Sequence, residues 1–451
     1  MNIAMVHFRV GELDGVSLEM DKWKKVLEEK FKHEVIYLAG SLGRSDGISI
    51  SEFSLDFVPG QEIRKAAFSS PLNKSQEKAL EVEIRTLIYE IKPKILKFIE
   101  EYNIQCFIPN NMFSLPLNIP ASLALFEILQ ETGIPTISHN HDFTWERTSY
   151  NPSCSLIKDY LDKYFPPKLP NIRHAVINSI AKDVLSDKKS IESVVVPNVF
   201  YFEEPDWVKD SFNSDVRATL NISNSDIIIL QATRLVDRKG IELIIDVIAR
   251  LNTKEYRKQL SSKPLYDGRR FTNNDKILIV MPNLVEDITY KNKLEKKCNE
   301  LSVEYRFCNP FFAHQRSEVD NEKKIYNLWD IYSHSDFVSY PSLVEGWGNQ
   351  FLEAVKAKLP IILYEYDVYI RDIGPLGFST ISLGSDLQKS AEHGLVTVSD
   401  ERIKQAADET VLILQDNTLR EKMVNKNFEI GLKELSITAL GKYLNLLLSS
   451  L

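Results

Sequence analysis

The sequence predicts an α/β protein of two consecutive domains, each a parallel sheet covered by helices. Three observations lead there. Short apolar runs of β-type residues alternate with longer amphipathic runs along most of the chain, as parallel strands joined by crossover helices require. The length of 451 residues accommodates two or three domains at roughly 100–200 residues each. Between the two series of runs lies 201–226, polar, carrying Pro205 and clustered Asn and Ser, which has the character of a connection between domains.

The elements follow in order. "NIAMVHF" (2–8) is a first strand, 18–31 has apolar positions at helical spacing, and "HEVIYLAG" (33–40) is a second strand, so the chain opens with a βαβ unit. "IQCFIPN" (104–110), a helix over 116–133, "IPTISHN" (134–140), "HAVINS" (174–179) and "SVVVPNVF" (193–200) continue the alternation. The first domain is therefore expected over 1–204. From 205 to 425 the strand-like runs are "IIILQATR" (227–234), "KILIVMP" (276–282), "VEYRFCN" (303–309), "DFVSYPS" (336–342) and "PIILYEY" (360–366). Helical stretches such as 240–251 and 349–358 separate them, 263–275 has no apolar period and is expected as a loop, and 402–449 is helical in pattern. Two Rossmann-like domains result, with ligands expected at strand ends in a cleft between them.

Composition narrows the function. Lys and Arg number 55 against 63 Asp and Glu, a net charge of −8, which disfavours a nucleic-acid groove. Cys106, Cys154, Cys298 and Cys308 form no CxxC pair, so neither a zinc site nor a disulfide framework is expected. The N-terminus lacks the basic and long apolar regions of a signal peptide. No window reaches the roughly 20 apolar residues of a membrane span. A cytoplasmic chain is expected, with peripheral membrane contact open and oligomeric state unspecified.

Candidate chemistry concentrates in two strand-end loops of the second half. In 339–365 a strand ends at Pro341, a loop carries Glu345, Gly346, Trp347 and Gly348, and a helix starts at Asn349. Glycine backbone and the positive end of a helix dipole suit a diphosphate, while a carboxylate at Glu353 suits two vicinal hydroxyls, as on a ribose. In 230–251 a strand is followed by Arg234, then Lys239 and Gly240, then an amphipathic helix. A forked guanidinium and a point-charge ammonium suit the two phosphates of one diphosphate.

These motifs resemble a known family. "EGWGNQFLE" is similar to the E-x7-E motif of nucleotide-sugar-dependent glycosyltransferases of the GT-B fold, and "ATRLVDRKGIELIIDVIARL" to their Arg-x4-Lys-Gly element, most closely in family 4. The resemblance covers nearly the whole chain. It implies retaining transfer of a hexose from a nucleoside-diphosphate sugar to a hydroxyl on a small glycoside solute, a lipid-linked sugar or a polysaccharide. It implies that Arg234 and Lys239 hold the donor diphosphate, that Glu353 holds the ribose, and that Glu345 holds hydroxyls of the transferred sugar. It further implies that Gly346, Trp347, Gly348 and Asn349 complete the donor site. It also implies two domains facing each other across a cleft, with a last helix, 426–451, crossing back to the first.

The first domain adds "PTISHNHDFTWER" (135–147), a strand end dense in polar groups. The family often carries a histidine here that contacts the transferred sugar, and His141 with Asp142 is the matching pair. His139 and, from 108–120, Asn110 are expected on the acceptor side. Gly15, between the first strand and first helix, is expected to let backbone N–H groups face the phosphate, although a double-glycine version common in the family is absent. No D-x-D pair occurs, so no metal and no cofactor beyond the co-substrate donor are expected. The segment 364–378, rich in Tyr and charge, stands where many relatives have a glycine-rich turn. The alternatives are another GT-B enzyme, such as a nucleotide-sugar epimerase or a glycoside phosphorylase, and a non-catalytic nucleotide-sugar-binding protein.

Overall fold

The computed structural model describes residues 1–12, 14–319, 323–389 and 394–449. It divides into two compact units, Met1–Val199 with Ile437–Leu451, and Phe200–Ser436. In the first, β1 (Asn2–Arg9), α1 (Gly15–Glu29), β2 (Glu34–Ser41) and β3 (Ile48–Ser49) are followed by two helices that the alternation above does not single out. These are α2 (Val58–Phe68) and α3 (Lys74–Tyr102). Then come β4 (Cys106–Pro109), α4 (Ile119–Thr132), β5 (Thr136–Asn140), α5 (Ser155–Tyr164), β6 (Ile172–Val176), α6 (Ser179–Lys189) and β7 (Ser193–Val195).

The sheet is parallel, ordered β3-β2-β1-β4-β5-β6-β7. Alternation along β1 shows why it must be covered on both faces. Ala4, Val6 and Phe8 pack with α3 and α4 through Ile84, Ile91 and Leu125, whereas Ile3 and Met5 share the other core with Trp23 and Leu27 of α1. Every one of these side chains is fully or almost fully buried, so β1 reads as a continuous apolar run.

The second unit contains α7 (Val216–Thr219), β8 (Ile227–Leu230), α8 (Glu242–Leu251), α9 (Lys254–Ser262), β9 (Ile277–Met281), α10 (Ile288–Glu300) and β10 (Glu304–Phe307). A small sheet of β11 (Phe312–Ala313), β12 (Ser317–Val319) and β13 (Lys323–Asn327) is inserted before α11 (Leu328–Tyr332). β14 (Phe337–Tyr340), α12 (Asn349–Lys356), β15 (Ile361–Leu363), β16 (Ile381–Ser382), α13 (Asp400–Gln415) and α14 (Asn417–Glu434) complete it. Its main sheet runs β10-β9-β8-β14-β15-β16, all parallel. In both sheets the first strand lies beside the fourth, at β1/β4 and β8/β14, so each has the strand order of a dinucleotide-type fold and a switch point at its centre.

The last helix, α15 (Ile437–Leu448), packs Leu440, Leu444 and Leu447 into the first unit's core beside Met20 and Trp23. The chain passes between units at 199–200 and again at 436–437. These two passages are bonded to each other, Phe200 N–H donating to Leu435 C=O at 2.8 Å. The division thus falls a few residues before 205, and 426–436 stays with the second unit because α14 packs there: Phe202 seats against Gly431. Among the described residues no helix is long and apolar enough to cross a membrane.

Candidate active site

In the second unit the loops after β8 and β14 meet at the switch point. Leu343 N–H donates to Arg238 C=O at 2.8 Å. Gly240 has φ +56°, and a Cβ there would lie 2.4 Å from Pro341 O, so only glycine allows this approach. The contact places Glu345 beside two cations. Its carboxylate takes a hydrogen bond from Arg238 Nη1 at 3.0 Å and forms an ion pair with Lys239 Nζ. The Lys239 and Glu345 side chains are 4% and 11% exposed, the Arg238 side chain 40%, so the triad opens to solvent on the arginine side.

Burial and charge compete at this triad. Burial raises the Glu345 carboxyl pKa, but the Lys239 and Arg238 charges outweigh it, and the group lies below its ordinary value. At Lys239 burial wins: the ammonium lies below its ordinary value although Glu345 pulls it up. Lys239 and Glu345, expected to serve phosphate and sugar separately, are joined here. Arg234 is half-exposed and paired with Glu286, in the loop after β9. Arg238 and Glu286 are charged partners of these residues that the motif reading missed. Arg238 adjoins Lys239 in the same loop, whereas no spacing marks Glu286.

The glycine loop is held from behind by aromatic residues. Gly348 has φ +138°, and a Cβ would fall 2.5 Å from the Tyr366 hydroxyl. That hydroxyl donates to Trp347 C=O at 2.5 Å. Gly346 is exposed, Trp347 and Gly348 are buried, and Asn349 opens α12. Glu353, in the second turn of α12, accepts from the Tyr332 hydroxyl at 2.9 Å. Tyr366 belongs to 364–378, which follows β15 and includes a wide turn at Tyr369–Ile373. Tyr366 of this segment therefore braces the loop of Gly348.

In the first unit the strand ends at β1, β4 and β5 gather a polar cluster around Asn110. Its amide N–H donates to Ile108 C=O at 3.1 Å, which fixes the amide and turns Oδ1 toward two imidazoles. His139 Nδ1 lies 2.9 Å and His141 Nε2 3.4 Å from that oxygen, so each carries its proton there and His141 Nδ1 is left as an acceptor. His7 Nδ1 lies 2.7 Å from Asn110 C=O. Burial pushes His141 down to about 3 and His7 to about 4, so both rings are neutral at pH 7.

The expectation that His139 and Asn110 contact an acceptor does not fit their burial. His139 is 0% and Asn110 1% exposed, and the His139 ring stacks on Trp23 with centroids 4.1 Å apart. They hold His141, 9% exposed, from below. Asn111, missed in the sequence, does the same by accepting from His141 N–H at 2.7 Å. Asp142 is more open and pairs with Arg147 at 2.9 Å. The expectation for Gly15 is also corrected: the Asp14 carboxylate accepts from the Val16 and Ser17 amides, so a fixed negative charge occupies the start of α1. Gly15 is an exposed first residue of that helix.

Comparison with known proteins decides the family. No protein-family model matches the chain. It is 40% identical over 433 residues to the mannosylglucosylglycerate synthase of Petrotoga mobilis, covering 96% of this chain and 97% of that protein. It is 35% identical over 445 residues to the mannosylglucosylglycerate synthase of Thermotoga maritima, covering 99% of each. The chain belongs to the mannosylglucosylglycerate synthase family. As a member of that family it is a glycosyltransferase, using a nucleotide-sugar donor and a hydroxyl acceptor. Solved structures agree on the GT-B fold. A glycosyltransferase from Rickettsia africae superposes with TM-score 0.62 at 13% identity, covering 99% of this chain and 97% of its own. HepE of Anabaena, solved with UDP-glucose, gives 0.56 at 12% identity with full coverage of both. The family-4 placement rests on the motifs alone.

Proposed function

We propose that this member of the family transfers a mannosyl group from a nucleoside-diphosphate mannose to glucosylglycerate, with retention at the anomeric carbon. The observation that carries the donor side is the Lys239–Arg238–Glu345 cluster at the β8/β14 switch point, an arrangement of fixed charge, buried at Lys239 and Glu345 and open at Arg238, where such folds bind anions. The names of the two synthases supply the sugar and the acceptor.

In this reading Lys239 and Arg234 neutralise the departing diphosphate, with the N-terminus of α12 adding its dipole. Glu353 accepts the ribose hydroxyls and Glu345 those of mannose. The bond from the anomeric carbon to the β-phosphate oxygen breaks as the acceptor oxygen bonds to the same face, and the acceptor proton passes to the departing phosphate. His141, neutral and held by Asn110 and Asn111, serves as a hydrogen-bonding group with Asp142 on the sugar and acceptor side. It is too weak a base to take that proton. The protein cations carry the phosphate charge without a divalent ion.

The test is incubation of the purified chain with UDP-, GDP- or ADP-mannose and glucosylglycerate, with and without excess EDTA. One mannosylated product with retained anomeric configuration, formed equally with chelator, is expected. Absence of transfer from every donor refutes the substrate assignment, inversion refutes the stereochemistry, and loss on chelation restored by magnesium or manganese refutes metal independence.

A further inference from the structure

The first unit contains a cavity of about 360 Å³ lined largely by the segment that follows Asp142 in the chain, among others by Trp145, Glu146, Arg147 and Tyr150. Small-molecule sites span about 300–1,000 Å³, so this one admits a small solute. Its wall combines an aromatic ring with charged groups. Trp145 stacks on Phe143 with centroids 4.5 Å apart and planes 6° from parallel, and its indole N–H has no hydrogen-bond partner among the described residues. Glu146 accepts from Phe143 N–H at 2.8 Å, and burial raises its carboxyl above the ordinary value.

One guanidinium, Arg147, lies in this wall, and a second, on exposed Arg64, acts on the same Tyr150. Arg147 spends one Nη2 contact on Asp142, and a guanidinium has five N–H donors. Arg64 comes from α2. Phe68, one turn further along that helix and so on the same face, packs edge-on against Tyr150 with centroids 5.3 Å apart, which brings Arg64 beside the same tyrosine. The Tyr150 hydroxyl is pushed up by burial while the Arg147 and then the Arg64 charges pull it down, so both cations act at one place. Arg64 has no ion pair among the described residues. An arginine without an ion pair among the described residues, a second with donors to spare, and an aromatic ring are groups that suit an anion attached to a sugar.

We infer that this cavity binds the carboxylate of the acceptor, with Arg147 and Arg64 selecting glycosides of hydroxy acids over neutral glycosides. The inference rests on the proposed function, which names glucosylglycerate as acceptor. Glucosylglycerol, which differs by having no carboxylate, is the matched probe. Bidentate pairing of a guanidinium with a carboxylate is the geometry that favours arginine over lysine here.

The experiment measures KM for glucosylglycerate and for glucosylglycerol in the parent chain and in Arg147→Ala, Arg147→Lys and Arg64→Ala. The parent should favour glucosylglycerate. That preference should fall about tenfold or more in Arg147→Ala, consistent with a charged hydrogen bond, less in Arg64→Ala, and part-way in Arg147→Lys, which keeps a cation near Asp142. An unchanged preference in both alanine variants overturns the inference. If the parent mannosylates neither compound, the proposed function fails, and titration calorimetry with glucosylglycerate then judges the cavity by itself. Weaker binding in Arg147→Ala than in the parent supports the site; equal affinity, or no binding to the parent, overturns it.

Discussion

Replacing Gly348 by alanine tests whether tyrosines brace the donor loop. The φ of +138° is costly for any residue with a Cβ, by about 1–3 kcal/mol. The new methyl would also lie 2.5 Å from the Tyr366 hydroxyl and 3.3 Å from that of Tyr340, both on buried rings. Forcing such rings apart costs a further 1–3 kcal/mol or so, and moving Tyr366 weakens its bond to Trp347 C=O. Gly348→Ala should therefore destabilise the second unit by about 2–6 kcal/mol, a large share of the 5–15 kcal/mol typical of a domain. Urea unfolding followed by fluorescence measures this, and calorimetry with the bare nucleoside diphosphate should show weakened binding. Tyr366→Phe removes the clashing oxygen. Combined with Gly348→Ala it should be less destabilising than the sum of the two single changes, with a coupling of roughly 0.5–3 kcal/mol. Near-native stability in Gly348→Ala, or strict additivity in the pair, would refute the bracing argument.

Lys239→Ala and Arg234→Ala should each lower turnover by about 10²–10³, the usual loss for one charge-stabilising donor, and steady-state kinetics at subsaturating donor reads it directly; near-normal rates would dismiss the clamp. Glu353→Gln should weaken binding of free nucleoside diphosphate, whereas Glu345→Gln should leave it undiminished and reduce transfer. Equal affinity losses in a calorimetric titration would remove that division. Acid should destabilise the first unit. His7, His141 and His174 have folded values of about 4, 3 and 4 against an ordinary 6.5, so the unfolded chain binds more protons between pH 6.5 and 4. Their contribution is present above pH 6.5 and is lost as pH falls, by up to about 1.4 kcal/mol per pH unit per histidine. A His174→Phe variant should show a shallower decline of urea midpoint over this range; an unaltered slope contradicts the account.

The parallel sheets were legible because strands buried on both faces must be continuously apolar, as Ile227–Leu230 and Ile277–Met281 are. Helix α3 was not singled out even though Leu80, Ile84, Leu87, Ile91, Ile95 and Phe98 repeat at helical spacing. Pro93 lies inside it, and an interior proline ordinarily reads as a break. The inserted sheet of β11, β12 and β13 has strands of two to five residues, too short for a period-two pattern to register. Polar residues at strand ends misled in a different way. His139 and Asn110 look like site residues because polar groups are rare in central strands, yet they bond to each other inside the core, and only burial separates that role from contact with a ligand.

The most informative feature was beyond reach of any spacing rule. Lys239 and Glu345 stand more than a hundred positions apart and are joined only because the β8 and β14 loops touch at Gly240. Their pairing changes the chemistry expected of each. A buried ammonium without a partner would be held far below its ordinary value, and a buried carboxylate far above. By facing each other, and Arg238, they keep charge in the site before any ligand enters. In the proposed reaction a diphosphate would give Lys239 a second anionic partner. Glu345 then has lone pairs to spare for sugar hydroxyls, while its fixed charge favours the protonated ammonium against burial. The same pairing explains why loss of either partner should be costly for more than catalysis: Glu345→Gln leaves Lys239 buried beside Arg238 with no counter-charge, and breaking a buried pair from one side typically costs about 3–5 kcal/mol. A Glu345→Gln variant should accordingly regain stability on adding bare nucleoside diphosphate by more than the parent does, since the ligand restores the missing negative charge; an equal or smaller gain in melting temperature would show that the diphosphate does not sit against Lys239.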